Sequence, residues 1–294
     1  MSRHSPSPAK CLASVGVLAL LCTAAQAAPG AIAGLSLQLE ADVGLTLDGG
    51  SSGNVITWLD QSPLHHDASG VAGYYAQVNG ATMNGIAVPT FSDSYLLIAG
   101  QPITSQQFTL FTVAATPQTA GSNGFREVVS NWSFTNTLSS VFLGTVGDSA
   151  APATTLRLTD DVGGANDAAH LQTGVSNITN PAAGFVLSGI SGVAAAELYL
   201  GQGLAHSAGP LSARDLTGAW VIGAQGEVGS EFWNGQIAAL IIYDRALDAA
   251  ERTQVIDYLG QKYLNTPAVP EPNSWALMLG GLLGLGALAR RRRA

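Results

Sequence analysis

Ile237-Ala238-Ala239-Leu240-Ile241-Ile242-Tyr243-Asp244-Arg245-Ala246-Leu247-Asp248-Ala249-Ala250-Glu251 is the stretch on which the fold turns. Its first seven residues are apolar and stop at the charged pair Asp244-Arg245, as a buried strand does. Asp248 then stands three residues before Glu251, the spacing of a capping box that opens a helix. Val255, Ile256, Leu259 and Tyr263 follow at helical spacing on one face. A strand therefore hands over to one helix, which packs its apolar face on whatever sheet that strand belongs to.

Upstream, short alternating or β-branched runs recur between clusters of Gly, Asn, Asp and Pro. Leu35-Ser36-Leu37-Gln38-Leu39 alternates. Val55 to Leu59, Phe108 to Ala114, Ser140 to Leu143, Thr154 to Leu158, Phe185 to Leu187, Glu197 to Leu200 and Ala219 to Ile222 continue the series. Strands and helices do not alternate as in βαβ units, which argues against a parallel sheet. Many short strands over about 240 residues predict an all-β fold, two packed antiparallel sheets in a jelly-roll sandwich with one C-terminal helix. The sandwich is expected over 28–265, followed by a linker beginning Thr266-Pro267-Ala268-Val269-Pro270.

Of 294 residues, 47% are hydrophobic and only 11% charged, which excludes a solvated disordered chain. Charge is unevenly placed. Arg3, Lys10 and Arg290, Arg291, Arg292 and Arg293 sit at the two ends. Between 28 and 267, six basic residues face 19 acidic ones, a net charge of −13. A surface so poor in Lys and Arg cannot neutralise a phosphate backbone, so nucleic acid is excluded as a partner.

Residues 1–27 read as a secretory signal peptide. Arg3 and Lys10 precede an apolar stretch from Leu12 to Leu21, and Ala25-Gln26-Ala27 suits signal peptidase, with cleavage expected before Ala28. The apolar run is too short for an anchor helix. Both cysteines, Cys11 and Cys22, fall inside this signal, so the mature chain is expected to carry no thiol and no disulfide. Stability must then come from core burial or bound ions.

At the other end, residues 266–294 combine the motif at 269–272, an apolar stretch at 275–289 and the Arg cluster at 290–293. A 15-residue helix reaches roughly 22 Å at about 1.5 Å per residue, short of a hydrocarbon core of about 30 Å. The arginines favour a cytoplasmic end. Pro270-Glu271-Pro272, the apolar stretch and Arg290 to Arg293 resemble the PEP-CTERM sorting signal of Gram-negative bacteria. That resemblance implies transient inner-membrane insertion, removal of the tail by an exosortase, and delivery to the cell surface or the medium. A simple tail anchor is the alternative.

The central region has its own resemblance. Asn54-Val55-Ile56-Thr57-Trp58-Leu59-Asp60-Gln61-Ser62, Phe91 to Leu96 and Phe108-Thr109-Leu110-Phe111-Thr112-Val113 are similar to concanavalin A-like lectin/glucanase domains of the laminin-G-like group. So are Trp220 to Gly223, Phe232 to Ala238 and Ile242 to Leu247, with the helix as closing segment. The match runs over roughly 35–264, is poor from 145 to 215, and departs at Pro63 and Asp93, which leaves the shape of those loops open. The resemblance implies a jelly roll and a buried aromatic at Trp233. Glucanases of this class carry Glu-x-Asp-x-x-Glu, whereas here Glu40-Ala41-Asp42 is followed by Val43, Gly44 and Leu45. Glu40 and Asp42 are therefore expected to end the first strand as exposed polar residues.

Other candidates compete with structural readings. Gly49-Gly50-Ser51-Ser52-Gly53 matches G-x-S-x-G but lies between two strands rather than before a helix, so it reads as a hairpin loop. His65, His66 and Asp67 form a loop that lacks a third metal ligand at zinc spacing. Asp160, Asp161, Asn166 and Asp167 surround Gly163-Gly164, a set of hard oxygen donors suited to Ca²⁺, against a solvated turn as the competing reading. Trp58 and Trp220 lie in strand-like runs and read as core, while Trp132 is the candidate for an exposed ring that stacks on sugar. Taken together, these readings describe an exported surface or matrix protein with a lectin-like domain that serves glycan binding or adhesion without catalysis, with polysaccharide as the candidate partner. The alternatives are a polysaccharide-degrading enzyme and a purely structural matrix component.

Overall fold

The computed structural model describes residues 28–116, 124–133, 135, 138, 140–147, 154–159, 178, 181–228 and 230–265. The strands in chain order begin with β1 (Leu35–Glu40), β2 (Leu45–Leu47), β3 (Val55–Trp58), β4 (Ala68–Gly70), β5 (Thr82–Met83) and β6 (Ile86–Ala87). Next come β7 (Thr90–Phe91), β8 (Leu96–Ile98), β9 (Phe108–Ala115), β10 (Gly124–Ser130), β11 (Val141–Gly147) and β12 (Thr154–Thr159). Then follow β13 (Phe185–Ser191), β14 (Ala196–Leu200), β15 (Gly203–Ala208), β16 (Trp220–Ile222), β17 (Gly235–Tyr243) and the helix α1 (Ala249–Leu264).

The strands assemble into two antiparallel sheets. One runs β1-β17-β9-β13-β14-β15, with β7 also paired to β17; the other runs β12-β11-β10-β16-β8-β4-β3-β2. The small hairpin β5-β6 stands apart. Sequence neighbours thus end up far apart in the sheets: the last strand, β17, lies between the first, β1, and β9. This is the two-sheet sandwich that the strand spacing predicts, with the single helix at its end.

All eight residues of β9 are buried, and β17 has only Gln236 partly exposed. Their runs do not alternate because both faces are covered, in β9 by the opposite sheet and by α1, which packs on β9 and β13. β1 departs from its alternating sequence for the same reason. Ser36, on the nominally polar face, is only 2% exposed; its hydroxyl donates to the Pro102 carbonyl, and its own carbonyl accepts from Ser62 Oγ at 3.0 Å.

Three tryptophans are fully buried, and each satisfies its indole N–H. Trp58 donates to the Glu40 carbonyl (3.0 Å), Trp220 to Gln101 Oε1 (2.9 Å) and Trp233 to the Gln236 carbonyl (3.3 Å). All three are core residues, as expected from their setting. The strands that sequence spacing does not reveal are β4, β7, β8, β10 and β15 together with the hairpin β5-β6. β10 hides because Arg126 and Glu127 interrupt its apolar run, although Glu127 is itself buried.

Candidate functional site

Asp60, in the stretch that resembles lectin-like domains, is a structural buckle. Its Oδ1 accepts from the backbone N–H of Gln38 (2.7 Å) and Ser62 (2.8 Å), and its Oδ2 from Ser62 Oγ (2.6 Å) and the His66 N–H (2.7 Å). Asp67 Oδ1 accepts from the Asp60 N–H at 2.8 Å, and His66 Nδ1 lies 2.8 Å from the Ala99 carbonyl. Asp60 thus ties the loop after β3 to β1, Asp67 braces that loop from within, and the His66 ring meets the segment after β8. No group of three or more His, Cys, Asp or Glu side chains is placed to hold a metal among the described residues. Gly49 to Gly53 forms the loop of the β2-β3 hairpin, the geometry expected of a turn rather than of a nucleophile elbow.

Glu40 corrects the expectation of an exposed strand end. Its residue is 1% exposed, and its carboxylate meets Lys262 Nζ, the Tyr258 hydroxyl (2.9 and 3.2 Å) and Gln38 Nε2. Lys262 also pairs with Asp42 at 2.8 Å, and the Tyr263 hydroxyl donates to Asp42 at 3.1 Å. Burial on its own would lower the Lys262 ammonium, but hydrogen bonds with Asp42, Glu40 and Tyr258 outweigh it and hold the group above the usual lysine range. Burial pushes the Tyr263 hydroxyl well up, reinforced by the nearby Glu40 and Asp42 charges. Asp42 is exposed, as expected; Glu40 is not. Both carboxylates are committed to tying α1 to the end of β1.

An open cleft of about 280 Å³ lies elsewhere, where the turn after β7, the start of β10 and the segment before β17 converge. Asp93, Phe125, Arg126, Glu231, Phe232 and Asn234 line it. Asp93 (φ 46°) and Glu231 (φ 58°) adopt left-handed backbone, which is uncommon outside glycine. Asn234 Oδ1 accepts from the Asp93 N–H at 3.0 Å, and the Glu231 carbonyl accepts from the Glu127 N–H at 3.1 Å. Next to Asn234, Gly235 (φ 155°) passes so close to β9 that a Cβ would sit 2.1 Å from the Ala115 carbonyl oxygen. Glycine is required there, and it sets the path that delivers Asn234 and Phe232 to the cleft.

Phe125 packs edge-on against Phe142, with centroids 6.1 Å apart and planes at 81°, while Phe232 packs on Tyr95, Val221 and Ala224. Both rings are partly exposed. Arg126 is half-buried, and burial lowers its guanidinium pKa; it nonetheless remains a cation, as arginine does in proteins. A neighbouring carboxylate would act in the opposite direction, and among the described residues none bonds to it. The cleft therefore combines a cationic fork, carboxylate acceptors, an amide and two apolar rings. That mixture suits a polyhydroxylated ligand.

Most of these residues escape sequence reasoning. Asp93 was visible only as a loop departing from the lectin-like pattern, and the structure explains the departure by its left-handed backbone. Trp132 is half-buried rather than exposed and lines neither this cleft nor a second one of about 360 Å³ beside the C-terminal end of α1. Asp160, Asp161, Asn166 and Asp167 lie outside the described residues, as do 1–27 and Pro270, Glu271, Pro272 and Arg290 to Arg293.

The described part of the chain is thus an antiparallel β-sandwich closed by one helix. Residues 268–293 match the PEP-CTERM protein-sorting motif, so the chain ends in the sorting signal of an exported bacterial protein. The botulinum neurotoxin DC binding domain, solved in complex with rat synaptotagmin II, has the same sandwich: TM-score 0.52, 10% identity, 77% of this chain and 52% of that chain. The same domain in complex with SialylT gives a TM-score of 0.50 and 9% identity over 77% and 51%. Domain 4 of AbnA, a GH43 extracellular arabinanase from Geobacillus stearothermophilus, in complex with arabinotriose, gives 0.48 and 14% identity over 76% and 98%. This chain spans about half the length of the neurotoxin chains. The likeness is one of fold. No match exists among the curated proteins. No helix among the described residues is long and apolar enough to cross a membrane.

Proposed function

We propose that this protein is exported from a Gram-negative bacterium, paused in the inner membrane by residues 275–289, released by an exosortase, and then binds glycan at the cell surface or in the extracellular matrix. The binding is non-catalytic. The observation that carries the glycan reading is the cleft at Asp93, Arg126 and Asn234, where hydrogen-bonding groups of both kinds stand beside the partly exposed Phe125 and Phe232. Sugars present that alternation of hydroxyls and apolar C–H faces. Support for the non-catalytic part comes from Glu40 and Asp42, the nearest approach to a glucanase signature, whose carboxylates are engaged with Lys262 and two tyrosines.

The test is a polysaccharide pull-down and glycan array on the purified protein, with and without Ca²⁺. Retention of at least one glycan, weakened about tenfold or more by Asn234→Ala, is the expected result. An array with no retained glycan overturns the binding reading. The enzymatic alternative is favoured by one specific observation, that Asp93 and Glu231 line the same cleft. Polysaccharide turnover lost on Asp93→Asn or Glu231→Gln would replace binding with catalysis.

A further inference from the structure

We infer that the cleft selects acidic sugars: it takes the carboxylate of a uronic-acid-type residue on the Arg126 guanidinium. The inference rests on the glycan reading above and narrows its ligand class. Arg126 is held in place by β10, paired to Thr145 of β11, and its side chain is half-buried at the cleft wall. Among the described residues it makes no ion pair and no side-chain hydrogen bond. Three other cations among the described residues are spent differently: Arg245 forks onto Glu251, Lys262 bridges Glu40 and Asp42, and Arg252 stacks 3.9 Å over the Tyr199 ring. Arg126 bears the cost of desolvation with no compensating anion bonded to it among the described residues, and burial lowers its pKa.

A guanidinium presents a planar fork that matches a carboxylate with two parallel N–H···O bonds. Beside it, Asn234 uses its Oδ1 on the Asp93 N–H, which leaves its amide NH₂ as a further donor on a residue that lines the cleft. Asp93 is exposed and supplies an acceptor for ring hydroxyls. Its charge also works against binding of a bare anion. A sugar that pairs its carboxylate with Arg126 and offers hydroxyls to Asp93 satisfies both groups, whereas an anion with no hydroxyls satisfies only one.

The experiment uses the full-length chain purified in detergent and matched pairs of oligosaccharides that differ only at C6. Oligomannuronate is set against oligomannoside, with the galacto and gluco pairs alongside, and poly-glutamate serves as a sugar-free polyanion. The expected result is at least one pair in which the uronate binds about tenfold or more tightly than its neutral partner. Arg126→Gln should erase most of that preference and Arg126→Lys should keep part of it. Asp93→Asn, which retains a residue tolerant of left-handed backbone, should raise the uronate-to-neutral ratio severalfold; a misfolded variant would not do so. Equal binding within every pair, or a preference that survives Arg126→Gln, overturns acid selection while leaving glycan binding in place. Poly-glutamate competing as well as the uronate also overturns it, because charge alone would then suffice. Failure of every saccharide, neutral and acidic, removes the glycan reading and this inference with it.

Discussion

Lys262 and Glu40 stand 222 positions apart, yet the pair sits at one seam of the molecule. The Glu40 side chain is 2% exposed and the Lys262 side chain 19%, so neither charge is well solvated. Lys262→Met should cost about 3–5 kcal/mol in urea unfolding, because it leaves the Glu40 carboxylate buried without its cation. The double variant Glu40→Gln with Lys262→Met should recover a large part of that loss. If the double variant is no more stable than the single one, the seam is held by packing rather than by charge. Local sequence could not reveal this: Glu40 and Asp42 look like an ordinary polar strand end until α1 folds back across them. Asp93 carries the complementary lesson. An aspartate stands at φ 46° where the resembling pattern has glycine nearby, and its own backbone N–H is tied to Asn234.

The helix is the element most fully written in its own residues. Asp248 Oδ1 accepts from the Glu251 N–H at 2.9 Å, and Glu251 Oε2 accepts from the Asp248 N–H at 3.1 Å, the reciprocal bonds of the expected capping box. At its C-terminus, Asn265 takes the left-handed conformation (φ 53°), and Asn84 of the β5-β6 hairpin donates to the Gln261 and Lys262 carbonyls at 3.2 and 3.0 Å. The latter contact is not legible locally. Glu251 has a second partner, the Arg245 fork, and its hydrogen bond holds the Glu251 carboxyl below the usual range, with the Asp248 N–H adding to the effect. A carboxyl whose folded pKa is lowered contributes stability that is present above its ordinary pKa of about 4.3. That contribution fades as pH falls through the lower folded value. Glu251→Gln should therefore cost no more than about 1 kcal/mol at neutral pH, given the partly exposed pair, and the difference from the native protein should shrink in thermal melts taken below about pH 4. Lys262 has the opposite sign. Its raised pKa contributes stability that is fully present below the ordinary lysine value of about 10.4 and is lost as pH rises from there through the higher folded value, so melts taken above about pH 10 should show the α1 seam weakening.

At the scale of the whole molecule, an acidic sandwich is joined to a short basic, apolar tail that matches a sorting motif. Replacing Glu271 with Ala should leave an uncleaved precursor in the membrane fraction, detected as a band heavier than the processed protein. Normal tail removal in that variant would count against exosortase recognition of the motif. The C-terminal motif and the general architecture were readable because each rests on local composition: an apolar run, a Pro-Glu-Pro motif, strand-length apolar segments and one capped helix. The doubly covered strands β9 and β17 were readable as strands for the same reason, since burial on both faces writes itself as a continuous apolar run. The cleft was not. Its walls come from the turn at Asp93, from β10 and from the segment at 231–234, which the bridge between Glu127 and Phe232 and the pairing of β7 with β17 bring together across more than a hundred residues. Spacing along a chain reports what each residue does to its immediate neighbours. The burial of Glu40, the half-buried cation at Arg126 and the cleft it lines depend on contacts made tens to hundreds of residues away, and so were decided by the packing of the two sheets and the helix.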